Sequence, residues 1–217
     1  MNYNEQRTKQ EALKKKFCEL LRSTHREGVD HVIEDLETLG FFDAPASTKF
    51  HLNHDGGLCE HSLNVCKIGL MLREEMIKIS PSSEAYLKKD SVIIATLLHD
   101  VCKAEIYKKV MKRQKNKYGI WEDVPGFDVD YSNFPIGHGE KSVIRLLLSG
   151  LELTDDEMLA VRWHMTAWDL AFQSPEQKNN LNTARDLYPL CALLQSADNL
   201  ASNVIERKEQ NLLNYTH

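Results

Sequence analysis

The sequence predicts an all-α protein, a bundle of several helices around a common core. Three observations carry that expectation. Prolines are few, six in 217 residues. Apolar residues recur mainly at helical spacing. Two segments, HSLNVCKIGLMLREEM and DSVIIATLLHD, are apolar round most of their circumference, the pattern of helices in the middle of a bundle.

The elements follow in order. Residues 4 to about 27 are polar-rich, with Leu13, Phe17, Leu20 and Leu21 on one stripe. A second helix carries Val29, Val32, Ile33, Leu36 and Leu39, and Gly40 suits the position just past its end. From Phe41 to Gly57 the periodicity dissolves into an ordered loop. A third helix runs from about Glu60, and a fourth ends in His99-Asp100. Residues 104–136 contain Gly119, Pro125, Gly126 and Pro135 among aromatics and charges, and are expected to form a loop or a short β-hairpin turning near Lys117–Tyr118. A fifth helix begins near His138. A sixth is announced by Thr154-Asp-Asp-Glu157, a capping box. The last spans roughly Leu187 to Gln210. No linker separates two domains, so residues 1–217 are expected to form one unit, with N-terminal helices over 4–40 and a core over about 50–205.

Composition narrows the class of function. A hydrophobic fraction of 42% is ordinary for a globular chain, and the formal charge of −5 argues against broad coating of nucleic acid. The N-terminal stretch lacks the apolar core of a secretory signal, and no uninterrupted membrane span is visible. The cysteines are odd in number, five, and form no CxxC pair, which reads as reduced, packed thiols. Cytoplasmic residence is the expectation, with no membrane partner.

The chemistry concentrates in the histidines at helix ends and two carboxylates. His61 opens the third helix, His99 and Asp100 close the fourth, His138 opens the fifth, and His164 lies late in the sixth. Asp198 sits inside LCALLQSADNLA. Alone, each histidine has an ordinary explanation as a helix-end or satisfied core residue. A buried carboxylate is harder to dismiss, because it is costly unless paired, hydrogen-bonded or bound to a metal. Six such residues in one bundle favour a shared cause, a two-metal site assembled in a bundle core. Imidazole with carboxylate suits Fe, Mn, Zn, Co or Ni and does not single one out.

The order H…HD…H…H…D, carried by His61, His99-Asp100, His138, His164 and Asp198, resembles the HD-domain superfamily of metal-dependent phosphohydrolases. The likeness extends to GGLCEH at 56–61, HDVCK at 99–103, GHGEKS at 137–142 and SADNLAS at 196–202. The opening is most similar to the branch with a Gly-Gly-Leu-x-x-His motif, which includes a 3′→5′ exoribonuclease; that relative carries an OB domain ahead of its HD domain, where this sequence reads as helical. The resemblance implies an HD-type bundle with two divalent transition-metal ions. His61, His99, Asp100 and Asp198 would hold the first, and Asp100, His138 and His164 the second, with Asp100 bridging. It implies attack of a metal-activated water on a phosphoester or phosphodiester of a nucleotide-like substrate, with Asp100 and Lys103 as catalytic residues. Neighbours on a helix point about 100° apart, so His99 and Asp100 can share an ion only where the helix ends.

Lys103 has two readings, a point charge for a phosphate or a lysine complementing the helix dipole. His54, Asp55 and Lys141 flank the motifs, and surface solvation explains each better than substrate contact. Asp169 is a candidate for supporting a ligand from behind. From Lys108 to Lys117 lie six basic side chains and no acidic one, flanked by Tyr107, Tyr118 and Trp121. Such a segment can track a nucleic-acid strand or form the wet face of a hairpin. Nucleic acid is therefore a conceivable partner without a dedicated domain, and the insertion is expected to roof the site and influence substrate choice. Two other functions fit the same ligand order: a mixed-valent di-iron oxygenase, distinguished by oxygen consumption, and a non-catalytic nucleotide-binding module with a structural metal. The spacing leaves the oligomeric state open.

Overall fold

The computed structural model describes residues 3–166 and 174–206, and its architecture is the expected helical bundle with one β-hairpin. Helix α1 spans Tyr3–Arg22, α2 Val29–Thr38, α3 Gly57–Ile79, α4 Lys89–Leu98 and the short α5 Lys103–Ile106. Strands β1 (Tyr107–Lys115) and β2 (Trp121–Val129) follow, then α6 (His138–Leu148), α7 (Asp155–Trp163), α8 (Pro175–Leu187) and α9 (Pro189–Leu200), which runs into a π-helical turn at Ala201–Ile205. Among the described residues no helix is long and apolar enough to cross a membrane.

Helix α4 is the hub. Its Ile93, Ile94, Leu97 and Leu98 join a first core with Phe17 and Leu21 of α1, Val32, Ile33 and Leu36 of α2, and Phe41 and Phe42. Its Val92 and Ala95 join a second core with Val65 of α3, Ala160 and Val161 of α7, and Leu190, Leu194 and Ala197 of α9. Supplying both cores at once is why every side chain from Ser91 to Asp100 is buried and why the helix shows no polar face. In the first core, Phe17, Phe41 and Phe42 form a triangle with centroids 5.2, 5.5 and 5.3 Å apart, so the loop after α2 is anchored by aromatic packing.

Some element boundaries differ from expectation, and one helix was not expected. Helix α1 stops at Arg22 rather than about 27, where the Ser23 and Thr24 hydroxyls turn back to the Leu20 and Leu21 carbonyls and compete with the helical pattern. The expected hairpin is present with strands of nine residues each: Tyr107 pairs with Val129 and Lys115 with Trp121 in antiparallel register. Its turn is set by Asn116, whose Oδ1 accepts from the Tyr118 and Ile120 amides. Helix α8 lies where no element was expected. The last helix is regular only to Leu200, and its expected end at Gln210 lies outside the described residues, as does Asp169.

The α1–α2 turn is pinned across the molecule by a buried ion pair. Arg26 reaches both carboxylate oxygens of Glu157 at 2.8 Å and donates to the Glu152 carbonyl at 3.0 Å. Glu157 is wholly buried and also completes the capping box of α7 with Thr154. Removing one partner of a buried pair leaves the other charge uncompensated. Arg26→Ala is therefore expected to cost about 3 kcal/mol of stability in urea denaturation. Arg26→Lys, which cannot form the bidentate bond, should recover only part of it.

Candidate metal centre

Two close backbone contacts bring the histidine-bearing helices together. At the start of α3, Gly56 has a left-handed φ of 78°, and a Cβ on Gly57 would lie 2.0 Å from the Leu52 carbonyl oxygen. Only glycine lets the 51–57 loop press onto the helix one turn before His61. As a result His51 stacks on His61, with centroids 5.1 Å apart and planes 28° from parallel. Similarly, a Cβ on Gly139 would lie 2.2 Å from the Arg162 carbonyl oxygen, so α6 crosses α7 at backbone contact and the rings of His138 and His164 come within 5.3 Å.

The six residues singled out in the sequence converge on one point, with Lys103 beside them. Helix α4 ends at Leu98, and His99 and Asp100 occupy the turn beyond it, as the 100° argument required. Asp100 is the centre, 2% exposed. Its Oδ2 faces His61 Nε2 at 3.5 Å, His99 Nε2 at 3.3 Å and Lys103 Nζ at 2.6 Å. Its Oδ1 faces His138 Nε2 at 2.6 Å and His164 Nε2 at 3.3 Å. Asp198 Oδ1 lies 3.3 Å from His61 Nε2 and 4.0 Å from His99 Nε2, and the two Nε2 atoms are 3.3 Å apart.

These separations suit a metal ion. Donor atoms placed about 2.0–2.2 Å from a tetrahedral ion stand about 3.3–3.6 Å from one another, and most distances among His61, His99, Asp100 Oδ2 and Asp198 fall there. The trios His61, His99, Asp198 and His99, Asp100, His164 each bring three donor atoms within 4.8 Å and could hold an ion. The buried Nε2 of His164 has no hydrogen-bond partner, an uncompensated lone pair that coordination would satisfy.

The outer nitrogens are fixed by the chain. His99 Nδ1 donates to the Thr96 carbonyl at 2.9 Å and His164 Nδ1 to the Val161 carbonyl at 2.7 Å. His61 Nδ1 donates to both oxygens of Glu206, at 3.1 and 3.0 Å. All three rings thus turn Nε2 towards Asp100.

The cluster sets its own charge states. Burial would raise the Asp100 pKa, but Lys103 and His99, then His138 and His164, outweigh it and hold the carboxyl well below its usual range. Burial likewise opposes ionised Asp198, and His61 and His99 lower it regardless. His61 feels burial against its charge, yet Asp198 and Glu206 lift it to about 9. Burial, with the nearby charges of His61 and Lys103, drives His51 down to about 4. Lys103 is pushed up: burial disfavours its charge, and Asp100 more than restores it. Cys102 Sγ lies 3.2 Å from His138 Nδ1, but burial pushes the thiol up to about 12, so it is no thiolate nucleophile at neutral pH.

The flanking candidates divide. His54 and Asp55 lie at the surface, beside Glu60 at 3.7 Å and Lys109 at 2.9 Å respectively. Lys141 does not: it is 3% exposed, donates to the Asn133 carbonyl at 2.6 Å and lies 3.5 Å from Glu105. The expectation of a solvated lysine fails because α6 turns that residue onto α5, where Glu105 supplies a counter-charge. Sequence reasoning missed Glu206 and His51. The only signal for Glu206 was an acidic residue eight places after Asp198, and for His51 a histidine five places before Gly56.

Fold and site together define a helical bundle with a buried histidine–carboxylate cluster able to take up metal. The chain belongs to the HD domain family, whose model matches residues 58–203. A curated relative is the dihydroneopterin 2′,3′-cyclic phosphate phosphodiesterase of Methanocaldococcus jannaschii, 34% identical over 102 residues, which are 46% of this chain and 37% of that protein. The match thus spans well under half of that relative's length. No solved structure matches.

Because α6 and α7 touch through backbone at Gly139, Gly139→Ala is expected to force the helices apart, with an overpacking cost of about 2 kcal/mol. Urea denaturation measures the cost, and a His138–His164 separation larger than in the wild type should appear in a crystal structure of the variant.

Proposed function

We propose that this protein is a two-metal phosphohydrolase that cleaves a phosphodiester, or a related phosphoester, of a nucleotide-like substrate. The observation that carries this reading is the division of the Asp100 carboxylate, one oxygen turned to His61 and His99 and the other to His138 and His164. In this proposal His61, His99, Asp100 and Asp198 hold the first ion, and Asp100, His138 and His164 the second. Divalent ions so held supply an activated water and polarise the phosphoryl oxygens.

The chain's own groups do the rest. Burial of His61, His99, Asp100 and His164 excludes bulk water from one side of the centre and strengthens every charge interaction there. His138 and Asp198 have side chains 20% exposed, and Lys103 is 14% exposed, so substrate approaches over these three. Lys103 is the phosphate-binding cation: its charge is secured by Asp100, and it lies on the open side. The Cys102 thiol, being buried and protonated, does not compete with water as a nucleophile. The M. jannaschii relative is named for a cyclic phosphodiester, which supports a diester among the substrates.

The hairpin is assigned to substrate choice. It rises from Tyr107, four residues beyond Lys103, and Lys109 ties it to Asp55 beside a groove of about 410 Å³ lined by Asn53, Val110, Met111 and Phe127. The Asp130 amide donates to the Ile106 carbonyl at 2.8 Å, so the hairpin can be excised at its neck. Joining Ile106 to Asp130 should leave turnover of a small diester intact and alter the ranking among larger nucleotide substrates. An unchanged ranking would remove the hairpin from substrate choice.

Metal content of protein purified without chelator, with hydrolysis of bis-p-nitrophenyl phosphate in added Mn, tests the reaction itself. About two ions per chain and hydrolysis are expected, and both should be lost in Asp100→Ala. Lys103→Ala should keep its metal and lose roughly 100-fold in kcat/KM. Iron with oxygen uptake and no hydrolysis would overturn the proposal in favour of an oxygenase.

A further inference from the structure

Glu206 directly follows the π-turn that closes α9, and its carboxylate is buried against the centre. The residue is 8% exposed. Both oxygens accept from His61 Nδ1, at 3.1 and 3.0 Å, and Oε1 also accepts from Asn64 Nδ2 at 3.0 Å. His51 Nε2 lies 4.0 Å from Oε2 while its ring covers one face of His61. His61 is thus held on three sides: Glu206 behind it, His51 on its face, and Asp198 with His99 in front of Nε2.

The backbone departs from an α-helix to achieve this. In a continuous α-helix, residue 206 would lie about 80° round the axis from Asp198. The chain instead makes a π-turn at Ala201–Ile205, closed by the Glu206 amide on the Ala201 carbonyl at 2.9 Å. The wider turn takes up part of that rotation, so that Asp198 and Glu206 reach opposite nitrogens of one imidazole. Single π-turns inside helices are rare and concentrate at functional sites.

We infer that Glu206 is the positioning residue of the first metal set, orienting His61 and strengthening its Nε2 as a donor through a carboxylate–histidine pair. The inference rests on the two-ion reading above. A carboxylate behind a ligating histidine fixes the tautomer and ring angle and raises ligand basicity, and its loss typically weakens metal binding 10–100-fold. Glu206 touches neither the second trio nor the open side at Lys103, so its effect falls on one ion of the two.

The test is a cobalt(II) titration against a competing chelator, on wild type, Glu206→Gln and Glu206→Asp. Absorption reports the ligand field, and circular dichroism and melting of the metal-free proteins report folding. Glu206→Gln keeps the shape and loses the charge. One of the two binding steps is expected to weaken about 10–100-fold with shifted cobalt bands, the other to stay as in wild type, and Glu206→Asp to restore part of the loss. A folded Glu206→Gln protein with the wild-type spectrum and both affinities would overturn the inference and leave the two-ion reading standing. So would a variant altered in melting alone. Wild-type protein that takes up no cobalt would overturn the two-ion reading, and the role of Glu206 with it.

Discussion

The constraint on which the structure turns is the burial of Asp100. A carboxylate 2% exposed, at the end of a helix buried on every side, survives only if its charge is met from within. Lys103 does so from the next turn, and histidines from α3, the α4 terminus, α6 and α7 surround the two oxygens. Each of those helices must end or begin at the same depth. The packing accomplishes this through α4, which joins both cores, and through the glycines that let α3 and α6 approach their neighbours at backbone distance.

That arrangement was largely legible in the sequence because it obeys local rules. An unbroken apolar run read as a central helix, and His-Asp at its end could share an ion only past the last regular turn, which is where both lie. Thr154 and Glu157 formed the capping box their spacing announced. What resisted reading depends on partners remote in the chain. Helix α8 buries little more than Leu181 and Ala184, too thin a stripe to stand out from its polar surroundings. The hairpin was foreseen, but not the length of its strands, which are mostly exposed on both faces and so lack the alternation that marks a half-buried strand.

Lys141 and Glu206 show the same limit at the level of single charges. Nothing adjacent to either predicts burial. Lys141 goes inside because Glu105 and the Asn133 carbonyl await it, eight or more residues away. Glu206 goes inside because His61 and Asn64, on the far side of the bundle in sequence, turn donors towards it. A buried charge is tolerated only as a member of a satisfied group, and such groups become visible only once the helices are packed.

The histidines of the centre are oriented by different kinds of partner on the outer nitrogen. For His99 and His164 the partner is a backbone carbonyl three residues earlier in the same turn, so their orientation is as rigid as the helix end that carries them. His61 relies on a side chain brought round by a π-turn, which couples its orientation to the end of α9. His138 places Nδ1 3.2 Å from the sulfur of Cys102 and Nε2 2.6 Å from Asp100 Oδ1. The orientation of His99 and His164 is thus settled by the local backbone, whereas that of His61 depends on a carboxylate 145 residues away in the chain. That is why the first two could be read from a helix end and the third could not.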